Sequence, residues 1–249
     1  MRCVCLINQK GGVGKTTTAV NIAAGFALRD YRVLVVDMDP NMSATKALVN
    51  ETHDLSKNIH RALVEEDLEH NIEHSTEYNV DILKSVVDLA SYGTGRKKDI
   101  EYTLKKLLSQ PLNYDLIFID SPPSLGILSV MSMTAADELI IPVYEFSALD
   151  GMDKLLDSFI YVRDNLNNNL KLSSIVLTMF DNRTNLAKDI RQTMMEKFGD
   201  LVADTTIPRN VRVAEAPAYH KSVVTLYPDS RGAIAYVALT NELKSKWRI

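Results

Sequence analysis

Between Leu6 and Gly25 the chain reads LINQKGGVGKTTTAVNIAAG, which sets two lysines, Lys10 and Lys15, around Gly11, Gly12, Val13 and Gly14, with Thr16 and Thr17 directly after. Glycines in such a turn let successive backbone N–H groups curl around an anion, and a lysine at its end can reach the β and γ phosphates of a nucleotide. Gly14-Lys15-Thr16 satisfies the end of the usual pattern G-x-x-x-x-G-K-[ST], but its first position is held by Gln9. One lysine suffices for the cradle, so Lys10 needs a separate explanation. Two other runs end in carboxylates: VLVVDMDPN carries Asp37 and Asp39, and LIFIDSPPS carries Asp120. Mg²⁺ takes oxygen ligands and keeps several waters, so carboxylates beside a phosphate cradle suit a magnesium nucleotide. Asp120, after four apolar residues, stands where a Walker B aspartate would. A single Asp can also cap a helix or shape a turn, and for Asp37 that alternative stays open.

Residues this far apart in sequence need a scaffold that gathers them. The apolar run Val4 to Ile7 predicts a buried strand, and Thr16 to Leu28 predicts a helix whose N-terminus faces the glycine turn. Further runs, RVLVVDMD, VDILK, YDLIFID, ELIIPV, SIVLTMF and LVADTTI, read as strands. Amphipathic stretches from Ile100 to Leu108, Gly151 to Leu166 and Leu186 to Phe198 lie between them. Near-continuous apolar strands alternating with helices imply a mostly parallel, twisted sheet flanked by helices on both faces. The fold class is therefore α/β, of the phosphate-loop NTPase kind, with ligands at the carboxyl ends of the strands. Asn50 to Tyr78, rich in Glu, His and Asn, reads as surface helices and loops. No linker divides the 249 residues, so one domain, 1–249, is expected.

With 28 Lys and Arg against 32 Asp and Glu, the formal net charge is -4, and no global basic field points to nucleic acid. Cys3 and Cys5, two apart on one strand, share a face and cannot staple distant segments; they read as core in a reducing compartment. His70 and His74 have a metal-ligand spacing, but the flanking acids and asparagines favour a solvated surface. The chain holds no apolar run of membrane-spanning length and opens on its first strand without an export signal, so a soluble, cytoplasmic protein is expected.

KGGVGKTT, VLVVDMDPNMSAT, YDLIFIDSPPSLG, IPVYEFSALDGM, MFDNRTNLAKDI and TIPRNVRVAEAPAYHKSV together resemble the ParA/Soj partition ATPases of the deviant Walker A superfamily, which includes MinD. The likeness runs along essentially the whole chain and fits the short form, without a preceding helix-turn-helix domain. It implies that Lys10 is the signature lysine, crossing an ATP-sandwich homodimer to the phosphates of the other subunit, as an arginine finger would. It also implies ATP and Mg²⁺ as cofactors, with Lys15 on the β and γ phosphates, Thr16 on Mg²⁺ and Thr17 near the α phosphate. Asp39 would orient the attacking water, Asp37 and Asp120 would support the metal shell, and Pro208 and Asn210 would hold the adenine. Hydrolysis would be slow and stimulated by a ParB-like or cargo-adaptor protein. Two departures stand out: Asn41, Met42 and Ser43 replace the common Gln, Gly and Asn after Asp39, and IPVYEFSALDG is one residue short.

The same resemblance implies binding of nonspecific DNA in the ATP state and association with the nucleoid. From Arg183 to Arg212 there are six bases, Arg183, Lys188, Arg191, Lys197, Arg209 and Arg212, against Asp189, Glu196, Asp200 and Asp204. Lys188 and Arg191, three apart, can share a helix face, and Arg183, Arg209 and Arg212 are the leading DNA candidates. By composition alone the segment reads as an ordinary mixed-charge surface. A MinD-like membrane role would need more apolar length than the closing NELKSKWRI offers, so no membrane is expected. A ligase or amidotransferase would need a nucleophilic cysteine with a partner, and an iron protein would need cysteines in mid-chain; neither is seen.

Overall fold

The computed structural model describes residues 1–50, 54, 56–92, 98–144 and 151–249. The elements begin with β1 (Arg2–Leu6), α1 (Lys15–Ala27), β2 (Val33–Asp37) and α2 (Ser43–Leu48). Next come α3 (Ile59–Glu65), β3 (Glu73–His74), β4 (Val80–Leu83), α4 (Leu89–Tyr92), α5 (Thr103–Leu108) and β5 (Leu116–Asp120). The chain continues through α6 (Ile127–Ala135), β6 (Glu138–Tyr144), α7 (Met152–Asn165), β7 (Lys171–Thr178) and α8 (Asn185–Phe198). It ends with α9 (Val211–Glu215), α10 (Val223–Leu226) and α11 (Arg231–Trp247).

Seven strands, among the described residues, form one sheet in the order β3-β4-β2-β5-β1-β6-β7. All pairings are parallel except β3 with β4. Strand side chains alternate between faces, and the two cores follow that period of two. Val4, Leu6, Val33, Val35, Leu116 and Phe118 point into a core with α1, α2, α10 and α11, while Cys3, Cys5, Leu34, Val36, Ile117 and Ile119 point into one with α3, α5, α6, α7 and α8. Both faces being covered is what a parallel sheet requires. The two cysteines are free and buried, as core residues.

Trp247, near the end of the chain, stacks on Phe26 at 5.6 Å between ring centroids and donates its indole N–H to Glu138 (2.6 Å) and Ser173 (3.0 Å). Its ring therefore belongs to the core. No helix of the described residues is long and apolar enough to cross a membrane.

Two expectations need correction. The run LVADTTI does not become a ladder strand; it touches β7 and its continuation through isolated bridges, Ile175 to Val202 and Phe180 to Pro208. The reason lies in α11, where the Glu242 carboxylate accepts from the backbone N–H groups of Asp204 (2.8 Å) and Thr205 (2.9 Å), so those amides serve a side chain. The stretch from Asn50 to Tyr78 is also less superficial than its polarity suggests. Ile59, Ala62, Leu63 and Leu68 are core residues, and β3 adds an antiparallel edge. His70 and His74 each pair with a separate aspartate, Asp67 and Asp81, at 2.8 and 2.5 Å.

Candidate nucleotide and magnesium site

The glycine turn lies between β1 and α1, and its backbone explains its composition. Gly12 and Gly14 have φ of +73° and +90°, left-handed values that cost other residues energy. Gln9, at the position of the missing first glycine, donates its side-chain amide to the carbonyl of Gly151 (2.8 Å), tying the turn to the start of α7. The turn delivers Lys15 to the first position of α1, almost fully buried at 6 % exposure. Its ammonium donates to the Lys10 carbonyl at 3.1 Å. Burial lowers the Lys15 pKa, opposed by the charges of Asp120 and Asp39.

The carboxylates converge from neighbouring strand ends, because β2 and β5 pair in a register that sets Asp37 opposite Asp120. Thr16 donates its hydroxyl to one Asp120 oxygen at 2.6 Å, while the other Asp120 oxygen is buried with no partner. Burial, then the neighbouring Asp37, raises the Asp120 pKa well above the usual carboxylate range. An unpaired carboxylate oxygen beside a threonine hydroxyl is an oxygen donor set suited to a magnesium ion with its water shell, while the lysine suits the phosphates that the ion would accompany. Asp37 is different. Fully buried, it accepts from the backbone N–H of Asp39 (3.1 Å) and from both the backbone N–H and the hydroxyl of Thr45 (2.8 Å each). Burial pushes its pKa up to about 6. Asp39 is 6 % exposed, and one of its oxygens accepts from the backbone and side-chain N–H groups of Asn41, at 3.0 and 2.9 Å.

These groups border a cavity of about 930 Å³, large enough for a nucleotide. Gly11, Gly12, Gly14, Lys15, Thr16, Thr17 and Asp39 line one end; Pro208 and Asn210 line the other. Lys10, Val13, Asp37 and Asp120 support these walls without lining them. Lys10 is half-buried, its backbone N–H donating to Asn8 at 3.0 Å. Asn210 caps α9 by accepting from the Arg212 N–H at 2.9 Å. Sequence reasoning missed Asn21, Thr178, Lys221 and Tyr236 in the lining. The Tyr236 hydroxyl lies 3.4 Å from that of Thr18, and burial pushes its pKa up to about 12. Only Thr178, at a strand's carboxyl end, carried a positional signal.

The basic residues do not gather at one place. Arg209 lines the nucleotide cavity. Lys188 and Arg191 border a shallow groove on α8 with Phe180 and Met195. Arg183, before α8, pairs with Asp181 at 2.6 Å. Arg212 pairs with Glu215 at 2.7 Å and lies over the Tyr227 ring. Of the shortened IPVYEFSALDG stretch, 141–151, residues 145–150 lie outside the described residues.

A family described as an AAA domain matches residues 1–172. The chain is 40% identical over 247 residues to the sporulation initiation inhibitor protein Soj of Bacillus subtilis, covering 97% of this chain and 98% of Soj. The chain belongs to the ParA/Soj family. It is 37% identical to the chromosome partitioning protein ParA of Myxococcus xanthus, over 98% of this chain and 88% of that one. Among solved structures, a cobyrinic acid a,c-diamide synthase of Mycobacterium smegmatis with bound ADP and magnesium superposes with a TM-score of 0.84 at 31% identity, covering 100% of this chain and 96% of that one. The ParA/Soj relatives share more identity over the same span. Both cysteines of this chain are buried, and burial raises their thiol pKa values.

Proposed function

We propose that the chain is an ATP-dependent dimerising switch that binds nonspecific DNA in its ATP state, hydrolyses ATP slowly, and so segregates or positions a plasmid, chromosome or other cargo. The observation that carries this reading is that Lys15 and Thr16 line one end of a nucleotide-sized cavity, with Thr16 bonded to one oxygen of Asp120 and the other oxygen of that buried carboxylate left without a partner. Thr16 and Asp120 would hold the magnesium, with Asp37 supporting them from the neighbouring strand. When bound, the ion would neutralise charge on the β and γ phosphates. Lys15 fits the role of a phosphate ligand because a buried cation needs an anion beside it. Asp39 has one oxygen that Asn41 does not bond, available to orient a water for attack on the γ phosphate. Lys10 would complete the partner subunit's site. Pro208 and Asn210 would bracket the adenine, and the whole chain, 1–249, would act as one domain.

For DNA, Arg183, Lys188, Arg191 and Arg212 would provide phosphate contacts, with Arg209 joining them from the rim of the nucleotide cavity and so making contact sensitive to nucleotide. A ParB-like or cargo-adaptor partner would trigger hydrolysis and release the protein from the nucleoid. The test is binding to a duplex of arbitrary sequence with ATP, with ADP and without nucleotide. Binding with ATP alone, weakened at least about tenfold by Arg183→Ala together with Lys188→Ala, is expected. Equal binding in all three states contradicts the proposal, and no binding at all transfers the cargo role to protein or membrane.

A further inference from the structure

The helix that follows Asp39 cannot cap itself. α2 opens on Met42, whose side chain makes no capping bond and whose φ is +61°. A methionine in the left-handed region holds the backbone at a cost of order 1 kcal/mol, so something outside the segment must fix it. Asp37 does so from the end of β2. One carboxylate oxygen accepts from the Asp39 N–H at 3.1 Å, and the other accepts from the N–H and hydroxyl of Thr45, both at 2.8 Å. Thr45 is 1 % exposed, and its hydroxyl oxygen in turn accepts from the N–H of Ser85, just beyond β4, at 2.9 Å. Four groups on three segments are thereby joined through one carboxylate and one hydroxyl.

We infer that Asp37 is a positioning residue: with Thr45 it clamps the Asp39–Thr45 segment, strained at Met42, in the arrangement that presents Asp39 to the attacking water, and it is not itself a magnesium ligand. This rests on the role of Asp39 proposed above. The Asp37 carboxylate oxygens already face three donors, whereas one Asp120 oxygen faces none. If the clamp slackens, Asp39 wanders while Lys15, Thr16 and Asp120 stay in place.

The experiment combines amide hydrogen exchange on the nucleotide-free protein with nucleotide binding titrated against Mg²⁺, for wild type, Asp37→Asn, Thr45→Val and the conservative Thr45→Ser. Exchange at the amides of Asp39, residue 45 and Ser85 is expected to rise about tenfold or more in Asp37→Asn and Thr45→Val and to return toward wild type in Thr45→Ser, as loss of one hydrogen bond to a charged group implies. The Mg²⁺ concentration for half-maximal nucleotide binding should move less than about twofold in Thr45→Val, while kcat falls about tenfold, because the lost contact orients a catalytic group rather than binding substrate. Unchanged exchange in both variants overturns the clamp. So does an Asp37→Asn protein that needs far more Mg²⁺ while Thr45→Val behaves as wild type. If wild type hydrolyses no ATP, the function proposed above fails, and the exchange pattern still decides the clamp by itself.

Discussion

Asp37 and Asp120 stand side by side because two parallel strands end in register, and burial keeps the carboxyl groups of both above their ordinary range. The folded chain then holds protons here that the unfolded chain has already released, so ionising these groups opposes folding. Stability from this source is present below the unfolded value, near pH 4, and is lost as pH rises through the folded values, about 6 for Asp37 and raised likewise for Asp120. Asp120→Asn removes one ionisation and keeps an acceptor for the Thr16 hydroxyl. The melting temperature of the nucleotide-free variant, minus that of wild type, should therefore increase between about pH 4 and pH 8, by about 2–4 °C for each kcal/mol relieved. A difference that stays flat with pH contradicts the assignment. The glycine turn was legible in the sequence because left-handed backbone selects glycine at Gly12 and Gly14. The tie from Asp37 to Thr45 was not, since an aspartate at a strand end looks the same whether it faces a metal or a neighbouring helix. That Arg209 borders the nucleotide cavity was not legible either, because charge reveals no direction and only the fold turns the side chain there.

At the scale of elements, α1 is held against the sheet by α11, and the approach is close. A Cβ on Gly25 would overlap the Thr240 hydroxyl, itself fully buried and bonded back to the Tyr236 carbonyl at 2.8 Å. Gly25→Ala should cost about 1–3 kcal/mol through overpacking, less the propensity gain of alanine in a helix, and Thr240→Ala should recover part of it. Thermal unfolding of the two single variants and the double checks this; additive losses would place the strain elsewhere. Strands β1, β2, β5, β6 and β7 were legible because both-face burial leaves near-continuous apolar runs. LVADTTI carried the same signal and is not a ladder strand, because Glu242, far along the chain, holds the amides of Asp204 and Thr205. β3 is two residues long and its pairing is tertiary, so no local pattern announced it.

For the whole molecule, a net charge of -4 gives no attraction to DNA at a distance, and Arg183 and Arg212 are each paired with a local acid. On electrostatic grounds a single copy offers DNA little, so the proposed DNA binding calls for the proposed dimer, which would present each basic residue twice. The family and the sheet were legible from the motifs together, because each motif falls at a strand end that the parallel order brings to the same edge. The most direct measurement is the solution mass of wild type and Lys10→Ala with ATP, ADP and no nucleotide, in Mg²⁺ and with Asp39→Ala added to prevent turnover. A dimer mass only with ATP, lost in Lys10→Ala while that variant still binds ATP, is expected. A mass that ignores nucleotide, or a Lys10→Ala variant that dimerises as wild type does, contradicts the switch.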